Sequence, residues 1–117
     1  MSIEQTFFDT LSNDVTVSGL VGARIYPNVA PDNATVPYIT YQVVVGISHN
    51  LINTAAATER KVIQTNCISN SYANAKVIAE ACKSAINGTA GYLTSEGDDY
   101  YEQIERHRVR LDFSLIG

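Results

Sequence analysis

Residues 108–115 constrain the fold more than any other part of the chain, because polar and apolar residues alternate there without a break. The polar row is Arg108, Arg110, Asp112 and Ser114, and the apolar row is Val109, Leu111, Phe113 and Leu115. Alternate side chains of an extended segment point to opposite faces. The apolar row needs a cover and the backbone groups need partners, so the pattern predicts a strand paired inside a sheet.

The bulk properties indicate an ordinary small protein that is expected to form one domain over residues 1–117. The chain has 117 residues, of which 45% are hydrophobic and 17% are charged. A chain of this length can bury one core without disulfide or metal staples. The formal net charge of −4 argues against a protein that grips nucleic acid through a broad basic surface.

Cysteine usage and the terminal pattern indicate an intracellular protein. Cys67 and Cys82 form no metal-binding or redox motif and are expected to be free, buried thiols. The N-terminal residues lack a signal-peptide pattern, and the longest apolar run is too short to span a bilayer. We therefore expect the chain to be cytoplasmic where it is made.

The hydrophobic periodicity predicts an α+β domain. Helices are predicted at 3–12, from 15 to 20 or 21, and at 72–87, and strands at 24–27, 38–48, 59–69 and the closing segment. Two further short strands, 91–95 and 99–104, are predicted around a turn at residues 96–98. The order predicts an antiparallel sheet with helices packed on one face. The buried stripe of the third helix is predicted to be Ala73, Val77, Ala81 and Ala85 with Ile78, Cys82 and Ile86.

Residues 46–58 join two long predicted strands and contain one titratable residue before Glu59, His49. We expect a long hairpin arm that packs on a neighbouring molecule, because Leu51 and Ile52 would otherwise be exposed at its tip. A mobile loop is the alternative.

No motif predicts catalysis, a cofactor or a metal ion. Neither His49 nor His107 is linked by a signature to a serine or cysteine, and no phosphate-binding loop occurs. The acidic cluster is expected to be a solvated turn, because its spacing is not that of a calcium-binding loop. It comprises Glu96, Asp98, Asp99, Glu102 and Glu105.

The row of arginines at 106, 108 and 110 allows three interpretations. It could contact phosphate, it could form an intersubunit ion-pair face, or it could be a polar sheet face. In the last case its charges would pair with Glu59, Glu105 or Asp112.

Three stretches together resemble the tail terminators, a family of short tail-completion proteins of long-tailed bacteriophages that is also found in prophages. The first is residues 20–27 (LVGARIYP), running through Ala30 and Pro31 to residues 36–42 (VPYITYQ). The second is residues 60–66 (RKVIQTN), followed by residues 71–75 (SYANA) and the helix after them. The third is residues 107–114 (HRVRLDFS). They follow one another in order over most of the chain.

The resemblance implies a structural virion protein without enzymatic activity. It implies a ring, expected to be hexameric, that caps the tail tube, ends tube polymerisation and presents the surface to which the head attaches. The implied partners are further copies of this chain, the tail tube protein and head–tail connector proteins, with DNA passing through the ring without sequence-specific binding. The implied location is the head-proximal end of the virion tail, reached from the host cytoplasm during assembly.

The candidate interface residues are drawn from these stretches and from the arm. They are Arg24, Tyr26, Gln42, His49, Leu51, Ile52, Gln64, Arg108, Arg110 and Asp112. The competing interpretations are a head-completion or connector ring, a dimeric ligand-binding module, and a small metal-dependent hydrolase that uses Asp98 and Asp99.

Overall fold

The computed structural model describes residues 3–31, 34–48, 59–88, 91–101 and 106–116, which form three helices and a five-stranded sheet. The helices are α1 (Ile3–Asn13), α2 (Val15–Val21) and α3 (Tyr72–Ile86). The strands are β1 (Ile25–Pro27), β2 (Tyr38–Ser48), β3 (Glu59–Ser69), β4 (Tyr92–Tyr101) and β5 (Arg106–Ile116). None of the described helices is both long and apolar enough to cross a membrane.

The strand order is β1-β2-β3-β5-β4, and every neighbouring pair is antiparallel except β1 with β2. The closing strand β5 therefore lies between β3 and β4, inside the sheet, as its alternation predicts. Strands β2 and β3 pair as far as Ser48 and Glu59. Residues 49–58 lie outside the described residues, so the hairpin arm stays a prediction.

The core lies between one face of the sheet and the three helices, which confirms the α+β fold class. The apolar row of β5 is at most 2% exposed. Phe7 of α1 packs against Phe113 at 6.0 Å and against Tyr41 at 5.5 Å between ring centroids. Because large rings bury much apolar surface, these contacts tie α1 to the centre of the sheet.

Local capping interactions define the helix ends. The Asp14 side chain accepts a 2.9 Å hydrogen bond from Val17 N at the start of α2. Ser71 does the same for Asn74 N at the start of α3, at 3.4 Å. Gly88, just past the end of α3, has a φ of 85°, a backbone conformation that glycine adopts without strain.

The predicted buried stripe of α3 is partly wrong. Ala73 and Val77 are exposed, whereas Ala75 and Ala79 are buried at 0% and 1%. Alanines occur on several sides of this helix, and a methyl side chain does little to favour one buried face over its neighbour. The larger residues Ile78, Cys82 and Ile86, which were predicted correctly, set the orientation.

The two short strands predicted around residues 96–98 are also wrong, because β4 runs without a turn from Tyr92 to Tyr101 and pairs with β5. Its register shifts only between Leu93 and Ser95. The glycine that suggests a turn has another role here. A Cβ at Gly97 would lie 2.9 Å from a terminal guanidinium nitrogen of Arg110, so the missing side chain leaves space for the arginine.

The two cysteines are free and buried, as predicted. The Cys67 Sγ of β3 and the Cys82 Sγ of α3 lie 3.9 Å apart in the core. The two sulfur atoms share a hydrogen bond, which together with burial raises the pKa of the Cys67 thiol. The Cys67 thiol therefore remains protonated, and both cysteines pack in the core as small apolar side chains.

Candidate functional site

One face of the sheet carries none of the described helices, and we call it the open face. Alternation places its side chains opposite the core residues of the same strands. The members whose side chains are described on β1, β2, β3 and β5 include Tyr26, Tyr38, Thr40, Gln42, Val62, Gln64, Asn66, Ile68, Arg106, Arg108, Arg110, Asp112 and Ser114. Six of the predicted interface residues are in this set: Tyr26, Gln42, Gln64, Arg108, Arg110 and Asp112.

The register aligns these side chains in cross-strand rows. One row runs Gln42, Gln64 and Asp112, the next Thr40, Asn66 and Arg110, and the third Tyr38, Ile68 and Arg108. Residues directly opposite one another on neighbouring strands are close enough for their side chains to interact. The open face is therefore a continuous polar surface flanked by the Tyr26 and Tyr38 rings, whose centroids are 6.1 Å apart.

Amide groups connect the middle of this surface. Gln64 Nε2 donates to Asn66 Oδ1, and Asn66 Nδ2 donates to Thr40 Oγ1, both at 3.2 Å. Thr40 and Asn66 are only 6% and 7% exposed. Buried polar groups cost stability unless they are hydrogen bonded, so this chain of bonds fixes their rotamers.

A cavity of ≈ 300 Å³ opens above this network. Its wall on the β1 side consists of Asn28, Val29 and Ala30, which follow β1. Asn28 has a φ of 65°, and its N–H donates to Tyr41 O at 2.7 Å. Asparagine tolerates this left-handed conformation better than most residues. The loop that follows therefore borders the hydrogen-bonded side chains of Thr40, Gln64 and Asn66. The remaining lining residues are Tyr38, Thr40, Gln42, Gln64, Asn66, Ile68 and Arg108.

The charged row of β5 is paired unevenly. The Arg108 Nε donates to Asp99 Oδ2 of β4 at 3.1 Å, and a terminal guanidinium nitrogen contacts the same oxygen. Hydrogen bonding to Arg108 lowers the pKa of Asp99. Asp99 is not among the partners expected for this row, since that pair depends on the register between β4 and β5.

Arg110 and Asp112 have the least complete contacts on the open face. Arg110 Nε lies 3.9 Å from Asp112 Oδ2, too far for a hydrogen bond. Within the described part of the chain, Arg110 Nε and Asp112 Oδ1 are buried atoms that have no hydrogen-bond partner. A buried polar atom without a partner costs about 1–3 kcal/mol, so this pair contributes little to stability. Of the other predicted partners, Glu105 and the Glu59 side chain lie outside the described residues.

Arg24, a further predicted interface residue, does not line the cavity. Arg24 is half-buried, and its Nε donates to Pro37 O at 2.8 Å, which ties the start of β1 to the segment before β2. His49, Leu51 and Ile52 lie outside the described residues.

Two members of the acidic cluster, Glu96 and Asp98, lie on the helix side of the sheet, as does His107. Glu96 contacts Lys76 and Lys83 of α3 at 3.5 Å and 3.4 Å. The His107 ring lies between Tyr72 and Tyr100, with centroids at 5.8 Å and 4.6 Å. His107 is thus half-buried between two rings.

The Tyr72 hydroxyl extends this arrangement by donating to Asp98 Oδ2 at 2.8 Å, which raises the pKa of Tyr72. In the described ranges, no three or more histidine, cysteine, aspartate or glutamate side chains are grouped so that they could hold a metal ion.

Comparison with known proteins identifies a family and a shared fold. The family model described as "Tail completion protein gp17" matches residues 5–116. No curated protein matches the sequence. A solved chain from "Virion of native gene transfer agent (GTA) particle" superposes with a TM-score of 0.76 and 19% identity, over 94% of this chain and 90% of that chain. At that identity the superposition shows a shared fold.

Proposed function

Because the chain belongs to the tail completion protein gp17 family, we propose that it is a structural virion protein that forms a ring on the last ring of tail-tube subunits. The ring is expected to be hexameric. It would stop tube growth and present the surface that head–tail connector proteins bind. The observation that carries this proposal is the length of the family match, which runs from the first turns of α1 to the end of β5.

The proposed mechanism is steric and adhesive. One face of the ring imitates a tube subunit and binds the growing end, while the other face offers no site for the next subunit. No covalent chemistry is required of any residue. A formal net charge of −4 suits a channel through which DNA passes without sticking.

The open face is the surface that we assign to contact with a neighbouring subunit or with the tube. It joins six of the predicted interface residues on one rigid sheet, and its polar floor is held by hydrogen bonds between side chains. Arg110 and Asp112 are partly exposed charged side chains, and their accessible atoms would bind a carboxylate and a donor of a partner. These features support a specific polar contact.

Mixing the purified protein with polymerising tube subunits tests the function directly. We expect shorter tubes once there is enough protein to form one ring for each tube end. In negative-stain images each tube should carry a ring at one end. Tubes of unchanged length and growth at stoichiometric protein would refute the proposal. Binding to connector rings without any tail protein would instead indicate a connector protein of the neck.

Charge reversal tests the open face separately. Arg110→Glu should weaken ring assembly, because it places a third carboxylate beside Asp112 and Asp99. The Arg110–Asp112 pair is partly exposed, so its loss should lower the free energy of unfolding by less than about 1 kcal/mol. Sedimentation velocity would measure assembly, and thermal melting would measure stability.

The matched control is the double substitution Thr16→Glu and Ser18→Glu, which makes the same change in net charge on the exposed side of α2. It should assemble like the unmodified protein. If Arg110→Glu and this control assemble equally well, the open face is only a solvated sheet surface.

A further inference from the structure

The outer edge of β4 is a long strand edge that pairs with no described strand. The strand has ten residues, and β5 is its only partner among the described strands. At its start, Leu93 N donates to the Asn87 side chain at 3.1 Å, so we take the edge to be open beyond that residue. Unpaired N–H and C=O groups along such an edge are a template for another strand, and proteins usually protect edges with charge, proline or a cover.

The charges on β4 protect this edge poorly, because the same chain neutralises them. Glu96 contacts Lys76 and Lys83, and Asp98 lies 3.6 Å from Lys76 Nζ. These ion pairs leave little net charge to repel an incoming strand. The edge also carries exposed aromatic side chains, with Tyr92 67% and Tyr100 49% exposed.

The opposite border of the sheet has a second open edge, along β2. Strand β1 pairs only with Ile39–Tyr41, and residues 42–48 of β2 continue past it with β3 on their other side. At the point where β1 ends there is a cavity of ≈ 270 Å³, lined by Glu4, Pro27, Asn28, Tyr41, Gln42 and Val43. The register shift between Val43 and Val45 leaves both Val43 and Val44 exposed.

The two edges are complementary in direction and in chemistry. Strands β2, β3, β5 and β4 alternate in direction, so β4 runs opposite to β2. A neighbouring copy in the same orientation would thus place its β2 antiparallel to β4. Valines on one edge would then meet tyrosines on the other, and aromatic and β-branched residues form favourable cross-strand pairs.

We propose that the outer edge of β4 pairs antiparallel with the outer edge of β2, at residues 42–48, of a second copy of this chain. Because the two edges are different, the contact is heterologous and repeats from copy to copy until a ring closes. The inference rests on the proposed ring and names the surfaces that build it. The open face then remains the second contact surface, towards the neighbouring subunit or the tube as proposed above.

Engineered cysteines test this pairing. We would combine Val44→Cys on β2 in turn with Tyr92→Cys, Ser95→Cys and Tyr100→Cys on β4. Within one chain β2 and β4 are three strand spacings apart, about 14 Å, whereas a disulfide needs Cα atoms within about 7 Å. Any disulfide between the engineered positions must therefore join two copies. The control is Val44→Cys combined with Val77→Cys on the exposed side of α3. It measures the disulfides that form by random collision between copies.

Under mild oxidation of assembled rings, we expect at least one β4 position to give roughly tenfold more cross-linked ladder than the α3 control, because pairing raises the local thiol concentration. Yields equal to the control at all three positions, in rings seen by negative stain, would overturn the edge pairing while the ring proposal stands. Failure of the unmodified protein to cap tubes would instead reject the proposed function. Dimers from Ser95→Cys alone would show that β4 pairs with β4, which also overturns the inference.

Discussion

Substitution of Gly91 by alanine is the sharpest test of how the last two strands pack. Gly91 closes the connection from α3 to β4, where its N–H donates to Ile86 O at 3.1 Å and its carbonyl accepts from Gly88 N at 2.8 Å. A Cβ at this position would lie 2.6 Å from the backbone oxygen of Ser114 and 2.7 Å from Leu115 Cγ. Both atoms belong to β5, which is held by strands on either side, so neither can move away cheaply.

Overpacking of this kind costs typically 1–3 kcal/mol, against a total stability of about 5–15 kcal/mol for a domain. For a chain of this size we expect the melting temperature to fall by roughly 4–12 °C. The matched control is Gly19→Ala in α2, where no heavy atom lies within 4 Å of the new Cβ. Because alanine favours a helix over glycine, this control should gain about 0.5–1 kcal/mol.

Thermal melting and urea titration of both variants would measure the difference. The reasoning fails if Gly91→Ala is as stable as the unmodified protein, or if the two glycines respond alike.

Three further outcomes are expected. Gly97→Ala should displace the Arg110 guanidinium, which would lie 2.9 Å from the new Cβ, and weaken ring assembly in sedimentation at unchanged net charge; unchanged assembly would argue against a role for this arginine. The hydrogen bond from Lys61 lowers the pKa of Glu4, so the stability from this pair is present at neutral pH and is lost as the pH falls through the folded-state pKa. With Glu4→Gln, the free energy of unfolding from urea titration should vary less with pH across that acid range, by less than about 1 kcal/mol. A pH profile identical to that of the unmodified protein would exclude the pair as a contributor. Burial and a raised pKa should make Cys67 react with a disulfide reagent only as fast as the protein opens, and reaction at the rate of the denatured control would contradict its position in the core.

Strands β2 and β3 are predictable from local sequence, and their bounds at 38–48 and 59–69 are confirmed. Each is rich in β-branched and aromatic residues, which fit a pleated surface. The central position of β5 follows from its alternation, because a strand with a continuous apolar row needs cover and partners.

The pairing of the charged residues could not be read from sequence. Arg108 meets Asp99 only because β4 and β5 share a particular register, with a shift between Leu93 and Ser95. A prediction that breaks β4 into two pieces removes that register. A glycine between two acidic residues, as at Gly97, is typical of a turn, and the sequence alone does not distinguish a turn from an uninterrupted strand here.

The sequence predicts several residues of the candidate surface, but it does not predict how they are arranged. Tyr26, Gln42 and Gln64 lie on three strands, and only the sheet order places them on one face. The loop residues 28–30 that complete the cavity carry no signal of their own, because their position depends on where β1 ends and on the conformation of Asn28.

The place of β5 between β3 and β4 has a consequence for how the protein is made. The ribosome produces β4 before the strand that it pairs with, so a nascent chain ending near residue 101 has two additional open strand edges, on the sides of β3 and β4 that β5 later covers. It also lacks the apolar row that contacts α3. Pairing between β3 and β5 joins residues far apart in sequence, which makes this step slow. We therefore expect the sheet to form only after residues 106–116 leave the exit tunnel, so that unfinished chains cannot join an assembling ring.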